Sequence, residues 1–185
     1  MTPPRSSKTR RTPALLDMDG LLSYSARVLS ARAQSVSEMR RKLSKRAAQP
    51  GDVEEVLRRL KESSFLNDQK FAESFATWRR DNEGHGKGRV LRDLMARRVS
   101  TEVATQATNA AFSGTDETAM IEQFLRRKLR AENLGELLRE EKRLASVFRR
   151  LRTAGFSAGG SIRVLKRYAA QAEQLEDMDD QEHSA

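Results

Sequence analysis

Between Ser63 and Arg80 the chain reads SSFLNDQKFAESFATWRR. Its bulky apolar positions Phe71, Phe75 and Trp78 fall at the i, i+4, i+7 spacing of one helical face. A start signal precedes them. Asn67 is a good N-cap, and Asp68 puts a negative charge in the first turn, where the helix dipole favours it. Leu66, just before the cap, is spaced to pack on Phe71 as a hydrophobic staple. The pattern predicts an amphipathic helix over 68–82, with its aromatic stripe, Trp78 included, serving as scaffold core. A second start signal stands at SVSE, where Ser35 caps and Glu38, three residues on, reaches back.

Three helical blocks can be superimposed: EMRRKLSKRA, RVLRDLMARR and SVFRRLRTAG. Met39, Val90 and Val147 lie four residues before Leu43, Leu94 and Leu151. Ala47, Arg98 and Gly155 follow after four more, at a helix-end position. In the second and third blocks an apolar residue and a serine come next, Val99-Ser100 and Phe156-Ser157, each serine placed to cap another helix. The repeat length is about 50 residues, enough for three short helices. Glycines punctuate the chain between blocks, and no proline follows Pro50. No run of alternating β-branched residues predicts a strand. The expectation is an all-α protein, an elongated array of three tandem three-helix units. The predicted helices are 20–32, 37–46 and 52–63, then 68–82, 87–98 and 101–112, then 116–130, 138–154 and 158–171. The corresponding divisions are a disordered basic arm over 1–19, units over 20–66, 67–115 and 116–171, and an acidic disordered tail over 172–185.

Composition narrows the function. With 37% hydrophobic and 33% charged residues, the core is thin and the surface heavily ionised. The net charge of +9 favours polyanionic partners or acidic protein surfaces. The end of the chain opposes this trend: Glu173, Glu176, Asp177, Asp179, Asp180 and Glu182 occur there without Lys or Arg. No cysteine is present, so disulfides and thiol chemistry are excluded. The basic, Pro/Ser-rich beginning lacks the apolar segment of a secretory signal, and a cytoplasmic protein is expected.

Little supports catalysis. His85 and His183 are the only histidines, which leaves no credible zinc ligand set. His85 lies in GHGKGR, where backbone N–H groups with Lys87 and Arg89 could cradle a phosphate. No strand precedes this loop and the P-loop spacing is absent, so it reads as a flexible connector. No nucleophile or acid/base arrangement is recognisable; neither an enzyme nor a cofactor is expected.

Basic clusters remain. Arg40, Arg41, Lys42, Lys45 and Arg46 surround Met39 and Leu43 on one helix. Arg126, Arg127, Lys128 and Arg130 end another. Arg149, Arg150 and Arg152, then Arg163, Lys166 and Arg167, follow in the third unit. The candidate partner or nucleic-acid contacts are Arg40, Arg41, Lys45, Arg126, Arg127, Arg149, Arg150, Arg152, Arg163 and Lys166. An alternative is a helix-turn-helix nucleic-acid binder over 88–112, with Thr101, Thr105, Gln106 and Asn109 facing bases. Against it, Glu102 is the only charge from Ser100 to Phe112, whereas such a helix usually brings cations for phosphates.

Two of these stretches resemble the RecX family, regulators of the RecA recombinase. In ARVLSARAQSVSEMRRKL, Arg32, Ser35, Glu38, Met39, Lys42 and Leu43 stand at marked family positions, and FLNDQKFAESF is similar to the family's opening motif. GKGRVLRDLMARRVS and FRRLRTAGFS resemble the second helices of its later repeats. Ser64 and Arg98 stand where the family usually has glycine, and GHGKG replaces a stretch that normally contains proline. The resemblance covers about residues 21–168. It implies a non-enzymatic protein of three tandem three-helix units; a monomer is the expectation. Such a protein binds the RecA filament on single-stranded DNA and lowers strand exchange, ATPase and coprotease activities, within homologous recombination, DNA repair and the SOS response.

Overall fold

A computed structural model of the chain describes residues 14–129, 133–169 and 172. The arm up to residue 13, Arg130, the tail from Glu173 onward and His183 lie outside the described residues. The protein is helical, and the described residues contain no strand beyond an isolated bridge between Leu16 and Ala47. They divide into two compact units, residues 1–67 and 68–185.

The first unit holds α1 (Met18–Ala31), α2 (Val36–Ser44) and α3 (Pro50–Glu62). α1 starts ahead of the expected boundary at residue 20, because Asp17 accepts the Gly20 N–H at 2.9 Å as its cap. Leu16 is also tied down, its N–H donating to the Arg46 carbonyl and its carbonyl accepting from Ala48. Ser35 Oγ accepts the Glu38 N–H at 3.1 Å, and Glu38 accepts the Ser35 N–H at 3.2 Å, forming a reciprocal capping box on α2. Leu21, Met39, Leu43, Val53, Val56, Leu57 and Leu60 make the core. Leu66, expected to staple the next helix, is buried in this cluster instead, its N–H donating to the Leu60 carbonyl.

The second unit contains α4 (Asp68–Trp78), continued by a π-turn over Arg79–Glu83, α5 (Lys87–Ala96), α6 (Thr101–Ala111), α7 (Glu117–Lys128), α8 (Leu134–Leu137), α9 (Glu141–Ala154) and α10 (Ala158–Leu165). The helix expected over 138–154 is thus shorter, and the brief α8 precedes it. Two hydrophobic clusters form. One comprises Phe71, Ala72, Ala76, Val90, Leu94, Val99, Ala104, Ala107 and Ala111. The other gathers side chains of α7, α9 and α10 around Leu144, Leu151 and Phe156. It also buries Ala172, which the sequence reading assigned to the tail.

Trp78 is not core. It is 51% exposed, and Phe75 is only half-buried. At about 100° per residue, the buried face of α4 centres on Ala72 and Ala76, with Phe71 at its edge and Trp78 beyond Phe71. Small alanines let α4 pack closely against α6, which answers with Ala104, Ala107 and Ala111. The helix therefore buries its smallest side chains and leaves its largest at the rim. Arginines cover the aromatic edge: the Arg97 guanidinium lies 4.7 Å from the Phe75 ring centre and that of Arg79 lies 5.1 Å away.

Candidate partner-binding surface

The candidate cations divide by what their side chains already hold. On α2, Arg40 forms a two-pronged pair with Glu54 of α3, both contacts 2.8 Å, and its hydrogen bonds hold the Glu54 carboxyl below the usual carboxylate range. Arg41 and Lys45 are exposed, with no acidic partner among the described residues. Near the end of α7, Arg126 reaches Glu122 at 3.3 Å. Arg127 turns inward, donating to the carbonyls of Asn82, at 3.3 Å, and Glu83. It is a structural cap on the π-turn rather than an outward contact, because those terminal carbonyls have no further helical donors. Arg152 is likewise committed, donating to the Phe156 carbonyl at 2.7 Å. Arg149, Arg150 and Arg163 are exposed and unpaired among the described residues, and Lys166 is exposed.

The superposition of the three second helices brings out a residue the cluster search missed. Two positions after Met39, Val90 and Val147 stand Arg41, Arg92 and Arg149. All three are exposed. Arg92 escaped notice because it sits alone between apolar and acidic neighbours, and only the repeat register marks it.

The glycine loop of GHGKGR, expected as a flexible connector, is pinned, with two of its glycine N–H groups already engaged. The Gly86 N–H donates to the Ala154 carbonyl and the Gly88 N–H to the Gly155 carbonyl, each at 2.9 Å. The amide end of α5 thus docks on the carbonyl end of α9, satisfying groups that both helices would otherwise leave open. Arg92 adds a bond to the Thr153 carbonyl at 3.2 Å. An ionic cluster flanks the joint: Arg79 and Arg89 hold Asp93 at 2.9 and 3.0 Å, and His85 Nδ1 lies 3.0 Å from Glu83. Burial lowers the His85 pKa from its ordinary value despite the carboxylates of Glu83 and Asp93.

On α6, Thr101, Gln106 and Asn109 are exposed and Thr105 half-buried, while Ala104, Ala107 and Ala111 face α4 and α5. The helix offers outward polar groups but no cation of its own.

Comparison with known proteins accounts for this arrangement. Residues 67–107 match the family described as RecX, second three-helix domain. The chain is 36% identical over 110 residues to the regulatory protein RecX of Mycolicibacterium vanbaalenii, an alignment covering 60% of this chain and 59% of that one. It is 32% identical over 161 residues to the regulatory protein RecX of Deinococcus radiodurans, covering 86% of this chain and 70% of the relative. The crystal structure of RecX from Lactobacillus salivarius superimposes with a TM-score of 0.61 at 15% identity, over 82% of this chain and 96% of that one. That likeness concerns the helical fold alone. Because the Deinococcus radiodurans relative is matched over most of both chains, the protein belongs to the RecX family of regulatory proteins.

Proposed function

We propose that this protein is a non-enzymatic modulator, mainly an inhibitor, of the RecA recombinase, acting in the cytoplasm. It binds the RecA–single-stranded DNA filament along its helical groove and lowers strand exchange, ATPase and coprotease activities. A division into three repeat units over 20–66, 67–115 and 116–171 is part of this reading, and the presence of three hydrophobic clusters supports it.

The observation that carries this reading is the exposed arginine repeated at one register position, Arg41, Arg92 and Arg149, of which Arg92 must first release the Thr153 carbonyl. A partner with a repeating acidic or phosphate surface can be met by a repeated cation, whereas a single compact ligand needs only one. Lys45, Arg150 and Arg163 add further exposed charge, and electrostatic contact of this kind also steers association. Arg40 and Arg126 contribute less to a partner, since each must first give up an acidic neighbour.

The test is RecA ATPase and strand exchange with the purified protein and with the R41A/R92A/R149A variant. Inhibition should scale with the amount of protein added rather than with time, and the variant should lose most of it. Equal affinity for bare single-stranded DNA and for the RecA filament would overturn the reading, in favour of a nucleic-acid binder acting without RecA.

A further inference from the structure

The first unit contains a pocket of about 320 Å³ lined by Tyr24, Arg27 and Arg32, by Gln34 and Lys42, and by the apolar side of α1. None of the candidate contacts above lies in it. We infer that this pocket seats one nucleotide of a single-stranded nucleic acid, its phosphate on Arg27, Arg32 and Lys42 and its base against Tyr24 and Gln34.

Three cations converge on the pocket, and only Arg32 has an acidic neighbour there, Glu38 at 3.5 Å. Glu38 is already engaged by the Ser35 N–H, so it neutralises the pocket only in part. Cations alone would suit any anion. Two neutral groups make the choice. Gln34 is only 3% exposed, and its side-chain N–H donates to the Arg32 carbonyl at 3.2 Å. Among the described residues its side-chain oxygen has no hydrogen-bond donor, which is unusual for a buried acceptor. A carboxylate brings no donor to it, and an inorganic phosphate dianion brings a single O–H but no flat face for Tyr24. A nucleobase brings amino or ring N–H groups together with a flat face.

Tyr24 offers the matching aromatic surface. Its ring is half-exposed and carries the Arg46 guanidinium at 5.3 Å from the ring centre. Bases of single strands are free to stack on such rings, while those of a duplex are hidden in their own stack. Arginines and a lysine around a phosphate then fix the strand's position without reading its sequence.

The inference deepens the filament-binding reading and rests on it for its setting; its binding measurement omits RecA, and RecA inhibition by the same variants is read separately. Fluorescence anisotropy of a short labelled oligothymidylate is measured with the full chain, the R27A/K42A variant, the Y24A variant, and the charge-matched control R139A/K142A. Thermal melting checks that each variant folds; if K42A unfolds, R27A alone replaces the pair. R27A/K42A should weaken binding about tenfold more than the control and flatten the salt dependence. Y24A should weaken the oligothymidylate but leave an abasic strand of equal length unchanged, since only the former stacks. Equal binding by the pocket variant and the control overturns the inference. So does pocket-dependent capture of polyglutamate as tight as that of the oligonucleotide, which would assign the pocket to acidic protein. Loss of oligonucleotide binding with RecA inhibition retained supports the pocket and leaves the filament reading standing on protein contacts. Normal pocket-dependent binding without any RecA inhibition sinks the filament reading alone.

Discussion

Gly86 and Gly155 meet backbone to backbone: a Cβ added to Gly86 would lie 2.5 Å from the Gly155 carbonyl oxygen and 2.6 Å from the Phe156 nitrogen. Gly86 itself has φ −73°, a conformation any residue adopts, so proximity and not dihedral freedom demands glycine there. Gly155 is doubly constrained, with φ +93° and a potential Cβ 2.8 Å from the Arg89 Cα.

Gly86→Ala is therefore expected to destabilise the second unit by about 1–3 kcal/mol or more through overpacking. Gly51→Ala, in a helix with open space around its Cβ position, is the control and should be neutral or slightly stabilising. Urea denaturation of the two variants beside the parent provides the measurement. Equal midpoints for both variants would deny that the joint is tight.

Ser64 and Arg98 hold left-handed backbone, with φ +58° and +59°. Such a conformation costs a side-chain-bearing residue roughly 1–2 kcal/mol. Ser64→Gly and Arg98→Gly should each raise the melting temperature, less than that full cost because glycine also frees the unfolded chain. A drop in Tm at both positions would contradict the backbone geometry.

His85 predicts acid lability near the joint. Its folded pKa is depressed, mainly by burial, so between the folded and unfolded values the unfolded chain binds more protons. The stabilisation is fully present above about pH 6.5, the unfolded value, and is lost as pH falls through the folded one. Urea midpoints of the parent and of His85→Gln should diverge at neutral pH and converge in acid relative to each other. A parallel pH dependence in the two proteins would remove His85 from the account.

Trp78 should fluoresce as a wetted indole, quenched readily by acrylamide. Trp78→Ala should change stability by no more than about 0.5–1 kcal/mol, as for other exposed positions. Ala76→Leu, a far smaller change in appearance, should cost about 1–3 kcal/mol because it wedges α4 from α6. A blue-shifted, protected tryptophan would reverse this assignment.

Filament binding should fall as salt rises from about 50 to 200 mM, and less steeply in R41A/R92A/R149A. An affinity flat across that range in the parent would exclude the arginine series from binding.

The sequence by itself determined the all-helical class, the rough position of most helices and sharp starts such as the one at Ser35. These are local matters: caps such as Ser35 with Glu38 act within a turn, and apolar spacing marks one face of one helix. The family resemblance also marked Ser64 and Arg98 as positions where glycine is usual, and both carry the positive φ that glycine adopts most easily. Tertiary structure alone decided which face of α4 is inside, since Ala72 and Ala76 are favoured over Trp78 only when α6 comes close enough to exclude a large ring. It alone turned the loop around Gly86 into a fixed joint, because the carbonyls that hold it come from α9, distant in sequence. It also tied the half-buried Arg127 and Arg152 to backbone carbonyls, since a charge run records what a side chain is and not which carbonyl lies within its reach.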